Sequence, residues 1–171
     1  MYDLSLSITK MLHEDHVITL GLLERMENAL RRFSPDVIPS MDTEGVSPLV
    51  SDVIAVLENE VSFHYSFEED YLFPRFAELA DPRITTMLRQ EHDIIRPLAD
   101  KLSALAVAAR SNGFTDDSWR QFHALGQELV EREIFHVQKE EMGFLPFLDQ
   151  VLDSDEDAKL SMAYAEIRGG G

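Results

Sequence analysis

The sequence predicts an all-α protein, an up-down-up-down four-helix bundle followed by a short C-terminal helix. Four long segments place apolar side chains at an alternating spacing of three and four residues, which puts them on one face of a helix. Glycine and proline are sparse and fall mostly between those segments. No stretch alternates polar and apolar residues for long enough to compete as a strand. Mostly short links between long helices favour an antiparallel bundle.

The first two predicted helices are separated by a loop that contains proline and glycine. The first helix runs from about Leu6 to Phe33. The second starts at Ser47-Pro48, which has the pattern of an N-cap followed by a proline at the first helical position. It ends near Leu79, and Pro74 is expected to kink it or to limit its last turn.

The remaining helices have equally clear boundaries. Asp81-Pro82 repeats the cap-and-proline start, and Asn112-Gly113 ends the third helix. Thr115 caps the fourth, which runs from about Asp116 to Leu148. We expect one domain over residues 1–171, with the bundle at about 6–149, a C-terminal helix at about 154–168 and a frayed glycine tail.

Composition excludes several classes of function. The formal charge is −17, so phosphate backbones and anionic lipid would be repelled, and we expect neither a nucleic-acid nor a membrane partner. Cysteine is absent, which excludes disulfides, thiolate nucleophiles and cysteine-ligated clusters. The N-terminus shows no basic region followed by an apolar one, and no stretch is apolar enough to span a membrane. A cytoplasmic location is therefore the expectation.

The chain contains the same pair of motifs twice. MLHEDHVI (11–18) aligns without gaps to MLRQEHDI (87–94), which places His16 on His92. FHYSFEEDYLFPRF (63–76) aligns to FHVQKEEMGFLPFL (135–148). The second alignment pairs His64 with His136, Glu68 with Glu140, Glu69 with Glu141, and Pro74 with Pro146.

Six of these residues are predicted to share one layer of the bundle: His16, His64, Glu68, His92, His136 and Glu140. In an antiparallel bundle the four histidines lie about 15–20 Å from the same end, at 1.5 Å per residue. Each glutamate follows a histidine by four residues, about 40° around the helix and therefore on the same face. All six stand at seam positions that are otherwise apolar.

A pair of metal ions would satisfy such a layer. Burying these groups without partners would cost on the order of several kcal/mol for each ionised group. Each ion could take two imidazole nitrogens, and the two carboxylates could bridge the ions. Nitrogen and oxygen donors without sulfur suit iron, manganese or zinc. Such a set leaves coordination positions open for a small ligand.

This pattern resembles the hemerythrin-like family, also called the HHE cation-binding domain, from about Leu12 to Leu148. The resemblance rests on His16, on HYSFEEDYLFP, on EHDII and on HVQKEEMGFLP. It implies two oxo- or hydroxo-bridged iron ions, ferrous or ferric, with manganese or zinc less favoured. It also implies four terminal histidine ligands, His16, His64, His92 and His136, and two bridging glutamates, Glu68 and Glu140.

One departure from that family is informative. Oxygen-carrying hemerythrins have a fifth histidine four residues from the third-helix ligand, where this chain has Leu88 and Arg96. The pattern is more similar to the four-histidine, two-glutamate proteins linked to nitrosative stress and repair of iron–sulfur centres. Those proteins usually carry a further cysteine-containing domain, which this sequence lacks.

Several acidic and histidine residues near the six are not expected to bind metal. His13 lies about 60° from His16 and is expected to be an exposed polar residue rather than a fifth ligand. His123 lies about 20 Å from His136 along the helix and is not expected to bind metal. Glu69 and Glu141 are expected to be solvated or to support the ligands, since they fall about 140° from the histidine face.

Three further residues leave alternatives open. Glu60 and Arg132 each precede a ligand histidine by four residues, and either pair near the site to orient a ligand or lie on the surface. Tyr71 either leans toward the metals or fills the core.

These observations support three functional hypotheses. The leading one is a protein that binds or reacts with O2, NO or peroxide for sensing, storage or detoxification. The second is a di-iron enzyme with peroxidase, catalase-like or oxidase activity. The third is an iron-handling module that binds a protein partner, whose identity the sequence does not indicate.

Overall fold

Five helices make up the fold in a computed structural model that describes residues 4–169. We label them α1 (Ser7–Arg32), α2 (46–79), α3 (Pro82–Asn112), α4 (116–151) and α5 (Ser154–Gly169). The described part of the chain contains no β-strand. The all-α class and the C-terminal helix predicted from the sequence are therefore confirmed. Of the predicted frayed tail, Gly170 and Gly171 lie outside the described residues.

The bundle closes because each long helix packs against two others and the first helix also contacts the fourth. Helix α1 contacts α2 and α4, and α3 also contacts α2 and α4, whereas α5 packs on α1. Two apolar clusters fill the interior, one containing Leu22, Val53 and Leu129 and the other containing Leu12, Phe76 and Leu148. The predicted histidine and glutamate layer is the buried polar band between them.

Most helix ends follow the predicted signals. The Asp81 carboxylate accepts a hydrogen bond from the Arg83 backbone N–H, and Thr115 and Ser118 form a reciprocal capping box. Gly113, at φ 74°, ends α3 as expected. The predicted start of α2 at Ser47-Pro48 is wrong. Helix α2 begins at Val46 after Gly45, whose φ of 85° lets the chain turn into the helix two residues earlier.

Helix α1 lacks a capping side chain of its own, and two distant aspartates supply one. Asp149 of α4 accepts hydrogen bonds from the backbone N–H groups of Ser5 and Leu6, and from the Thr9 hydroxyl at 2.6 Å. Asp157 of α5 accepts from the N–H groups of Ser7 and Ile8. These carboxylates also complement the positive end of the helix dipole. Helix α5 is thereby fixed against the end of α1.

Three π-helical turns interrupt the two helices that carry the repeated H-x-x-x-E motif. They are Glu60–His64 and Glu68–Leu72 in α2, and Glu140–Phe144 in α4. Pro74 and Pro146 each follow such a turn, and both helices continue beyond the proline. Pro74 therefore does not limit the last turn of α2, because the widened π turn precedes the proline and accommodates its missing N–H donor.

No described helix is long and apolar enough to cross a membrane.

Candidate metal centre

Two groups of donor atoms meet in the polar layer between the apolar clusters. His16 and His64 lie with Glu68 and Glu140 in one group, and His92 and His136 lie with the same two glutamates in the other. The donor atoms of each group fall within 4.8 Å of one another. All six side chains are buried. The structure therefore brings together all six residues that the repeat predicted, although metal ligation by these residues stays a prediction.

The first group has the spacing of donors around a single ion. His16 Nε2 lies 3.2 Å from His64 Nε2 and 3.0 Å from Glu140 Oε2. His64 Nε2 lies 3.4 Å from Glu68 Oε1. Two donors bound to one ion at about 2.1 Å each lie about 3.0 to 4.2 Å apart, depending on the angle between them. All three distances fit that range.

The second group repeats this geometry with the other oxygen of each carboxylate. His92 Nε2 lies 3.0 Å from His136 Nε2 and 3.5 Å from Glu68 Oε2. His136 Nε2 lies 3.1 Å from Glu140 Oε1. Each glutamate thus directs one oxygen to each histidine pair, as a carboxylate that bridges two ions must.

The glutamate oxygens test whether the site suits a metal. Both oxygens of Glu68 and both of Glu140 are buried and accept no hydrogen bond of good geometry from the described residues. Unsatisfied buried carboxylates are costly, and cation coordination removes that cost. Imidazole and carboxylate donors without sulfur fit iron, manganese or zinc. The residues present therefore fit a pair of such ions.

A carboxylate faces the outer nitrogen of every ligand histidine. Each imidazole Nδ1–H can donate to its carboxylate, which leaves Nε2 free to bind metal and fixes the plane of the ring. The Nδ1-to-oxygen distances are 2.6 Å for His16 to Glu141, 3.4 Å for His64 to Asp15, 2.8 Å for His92 to Glu69, and 2.9 Å for His136 to Glu91.

These four carboxylates follow the sequence repeat. Glu69 and Glu141 occupy equivalent positions, and each bonds a histidine Nδ1, as the alternative in which they support the predicted ligands requires. Asp15 and Glu91 are also equivalent, because each directly precedes a ligand histidine in its motif. Each bonds the histidine of the following helix rather than its own neighbour. Sequence reasoning missed this pair, although an acidic residue before the histidine in both halves was the available signal.

The partners of these carboxylates differ between the two halves. Asp15 accepts a hydrogen bond from the Tyr164 hydroxyl and forms an ion pair with Arg168 at 3.0 Å. Both partners belong to α5. Glu91 pairs with Lys139 of α4. The histidines and glutamates of the two donor groups are therefore equivalent, whereas the residues that bond Asp15 and Glu91 differ between the two halves.

The other two carboxylates also have polar partners. Glu69 accepts from Arg96 at 2.6 Å and from Arg89 at 3.1 Å. Glu141 also bonds His13 at 2.9 Å. His13 therefore contacts the carboxylate that faces His16 and belongs to neither donor group. His123, also predicted not to bind metal, is buried elsewhere and donates to the Leu30 carbonyl at 2.9 Å.

The alternatives left open for nearby residues resolve differently. Arg132 lies on the surface and bonds Glu128, as one alternative expected, whereas Glu60 is buried beside His64 and the two residues do not pair. The π turn at Glu60–His64 separates the two positions, since the corresponding stretch before His136 is ordinary α-helix. Tyr71 neither leans toward the metals nor fills the core, because it is 45% exposed and stacks on Phe67 at the surface.

Sequence reasoning also missed a buried pair beside the ligands. Tyr65 stacks on the His92 ring at 3.7 Å, and its hydroxyl donates to Glu133 Oε2 at 2.5 Å. The pKa of Glu133 is raised to about 7 by burial and by the nearby charge of Glu60. Burial and Glu133 together raise the pKa of Tyr65 as well. A hydroxyl and a carboxyl that can share a proton therefore lie next to the second donor group.

The ligand groups perturb one another strongly. Burial alone would lower the pKa of His16, but the carboxylates of Glu140 and Glu141 raise it to about 9. Burial and repulsion from His136 lower the pKa of His92 to about 2. Burial and the charge of Glu140 raise the pKa of Glu68 to about 7. Perturbations of this size concentrate at functional sites.

A comparison with protein families matches residues 7–148 to the hemerythrin HHE cation-binding domain. The chain belongs to this family. The matched residues of the hemerythrin domain contain both donor groups and all four supporting carboxylates. Helix α5, which supplies Tyr164 and Arg168 to Asp15, follows the matched residues.

Cation binding is accordingly a property of this hemerythrin domain's family, and the buried histidine and glutamate groups are able to hold a metal. A search of curated proteins gives no match.

Proposed function

We propose that this hemerythrin domain holds two iron ions and binds or reacts with O2, NO or peroxide, in sensing, storage or detoxification. One observation carries the proposal: two buried histidine pairs share both oxygens of the same two glutamates. Zinc and manganese fit the same donors less specifically. A pair of iron ions would supply electrons and open coordination positions to a small ligand.

The protein's own residues prepare the site for such a ligand. The outer carboxylates fix each imidazole ring, so the donors need little rearrangement when metal binds. Burial of the ligand side chains excludes bulk water from the layer. The ligand must therefore be small, which favours a diatomic molecule or peroxide.

The lack of a fifth histidine supports these roles over bulk oxygen transport. The two positions four residues from His92 hold Leu88, which is buried in an apolar cluster, and Arg96, which bonds Glu69. Both side chains are engaged elsewhere. Each donor group therefore has two histidines, which leaves the metal pair more open than a five-histidine site.

Peroxide turnover is the second candidate, and the Tyr65–Glu133 pair favours it. In disproportionation one peroxide molecule is reduced to water and a second is oxidised to O2, so no outside reductant is needed. A buried hydroxyl–carboxyl pair can hold a proton that passes between the two peroxide molecules beside the site. Peroxide turnover well above that of free iron, abolished by His136→Ala but retained in His123→Ala, would support this enzymatic activity.

Metal analysis combined with optical spectroscopy tests the main proposal. We expect about two irons per chain in protein purified from iron-supplied cells, with absorption that responds to NO or peroxide. The matched variants are His136→Ala, which removes a predicted ligand, and His123→Ala, which removes a buried histidine far from the layer. Zinc as the native metal, or iron below one per chain without a spectral response, would overturn the proposal in favour of an iron-handling or structural role.

A further inference from the structure

Glu60 lies in one row with the ligands of α2. Glu60, His64 and Glu68 are spaced by four residues each, and the π turn at Glu60–His64 brings the first two onto nearly the same side of the helix. His64 therefore has a carboxylate one turn before it and another one turn after it. The carboxylate after it is Glu68, which the repeat predicts as a bridging ligand.

The Glu60 carboxylate has one satisfied oxygen and one free oxygen. The residue is 2% exposed, and its Oε2 accepts a hydrogen bond from the Thr19 hydroxyl at 2.7 Å. Its Oε1 is buried and accepts no hydrogen bond from residues 4–169. That oxygen lies 3.9 Å from His64 Nε2, the nitrogen that faces the first donor group. The distance falls within the range of about 3.0 to 4.2 Å for two donors on one ion. Glu60 stands outside the two groups whose donor atoms fall within 4.8 Å of one another, so its carboxylate has to turn further toward the ion to bind it.

The other half of the site has no counterpart to this arrangement. Arg132, equivalent to Glu60 in the repeat, is half exposed and bonds Glu128. Glu133, the nearest buried carboxylate in that half, has its Oε2 occupied by the Tyr65 hydroxyl and its Oε1 without a hydrogen bond from the described residues. Unlike Glu60 Oε1, which lies 3.9 Å from His64 Nε2, it forms no such close contact with His136 among those residues. The π turn before His64 has no equivalent before His136, which explains why the position four residues before the histidine faces inward in the first half and outward in the second.

We propose that Glu60 is a seventh ligand of the metal centre, through Oε1, on the ion held by His16 and His64. This inference rests on the proposed function, since it requires that the two donor groups bind metal. The first ion would then have five protein donor residues, and the second, held by His92, His136 and the shared glutamates, would have four. The second ion is thus the open one, and the exogenous ligand binds there beside Tyr65 and Glu133.

Cobalt(II) titration of the metal-free protein tests this assignment, because cobalt reports both occupancy and coordination by visible absorption. We would compare wild type with Glu60→Gln, Glu133→Gln and Glu58→Gln at pH 8. Glu133→Gln is the matched control for loss of a buried negative charge, since it lies near the layer but bonds Tyr65. Glu58→Gln controls for an exposed position on the same helix.

Wild type is expected to bind two cobalt ions in distinguishable steps. Glu60→Gln should weaken one step by about 10-fold or more, in line with losses at metal sites, and should change the absorption bands of that ion only. Glu58→Gln should leave the bands of both ions unchanged, and any change in Glu133→Gln should fall on the ion held by His92 and His136. If Glu60→Gln fails to fold, Glu60→Asp gives the same readout, because one methylene less withdraws the carboxylate from the ion.

Unchanged bands in Glu60→Gln, or a loss of affinity equal to that of Glu133→Gln, would overturn the ligand assignment and leave two-metal binding intact. Failure of the wild type to bind two ions would instead contradict the proposed function itself. The two failures are therefore distinguishable.

Discussion

The Tyr164 hydroxyl donates a hydrogen bond to the carboxylate of Asp15, which faces Nδ1 of His64. Tyr164 is fully buried although it belongs to the last helix of the chain. Arg168, one turn further along, pairs with the other oxygen of Asp15. Helix α5 is thus connected through Asp15 to the buried histidine and glutamate layer. Its own Asp157 holds it against the start of α1 by accepting from the N–H groups of Ser7 and Ile8.

Tyr164→Phe is expected to lower both stability and metal affinity. The change removes only the hydroxyl, leaving Asp15 with one hydrogen bond fewer in a buried setting, at a cost of about 1–3 kcal/mol. Metal affinity should fall by about 10-fold or more, because Asp15 orients His64. Denaturant unfolding of the metal-free protein and metal titration measure the two effects. Tyr71→Phe, on an exposed tyrosine, is the control, and equal behaviour of both variants would refute the connection.

Glu69→Gln and Glu141→Gln are expected to have matching effects, since the two carboxylates are equivalent in the repeat. Each bonds the Nδ1 of one histidine, so each substitution should weaken metal binding by about 10- to 100-fold. Competition with a chelator of known affinity measures the loss. Asp70→Asn removes an exposed charge next to Glu69 and should have no comparable effect. A normal affinity in both glutamine variants would show that the outer carboxylates do not support the ligands.

Metal binding is expected to release protons and to weaken as the pH falls. The carboxylates of Glu140 and Glu141 outweigh burial and raise the pKa of His16 to about 9 in the metal-free protein, so this imidazole is protonated at pH 7. A metal ion must displace that proton, and affinity therefore rises between about pH 6 and pH 9. Calorimetry in buffers of different ionisation enthalpy counts the protons released. A binding affinity independent of pH over this range would contradict the prediction.

Asp149→Ala is expected to destabilise the protein by about 1–2 kcal/mol, as the loss of a helix cap does. Its carboxylate satisfies the N–H groups of Ser5 and Leu6 at the start of α1, which has no capping side chain of its own. Thermal or denaturant unfolding measures the effect. Asp70→Ala removes an exposed aspartate of equal charge and should change stability by far less.

The sequence by itself determined the bundle and the six residues of the buried histidine and glutamate layer. Polar residues at apolar seam positions stand out against the helical spacing, and their repetition in both halves places them at one level. The same repeat paired Glu69 with Glu141 but left open whether they are solvated or support the predicted ligands. These inferences succeed because they depend only on helical periodicity and on the antiparallel packing of neighbouring helices.

Only the tertiary structure decided the contacts beyond that layer. Asp15 and Glu91 bond histidines of other helices, which periodicity within one helix cannot show. Tyr164 reaches the site from α5, whose position depends on distant hydrogen bonds at the start of α1. Glu60 turns inward and Arg132 outward because a π turn changes the angular phase of the helix in one half alone. A pattern based on 3.6 residues per turn cannot register that change.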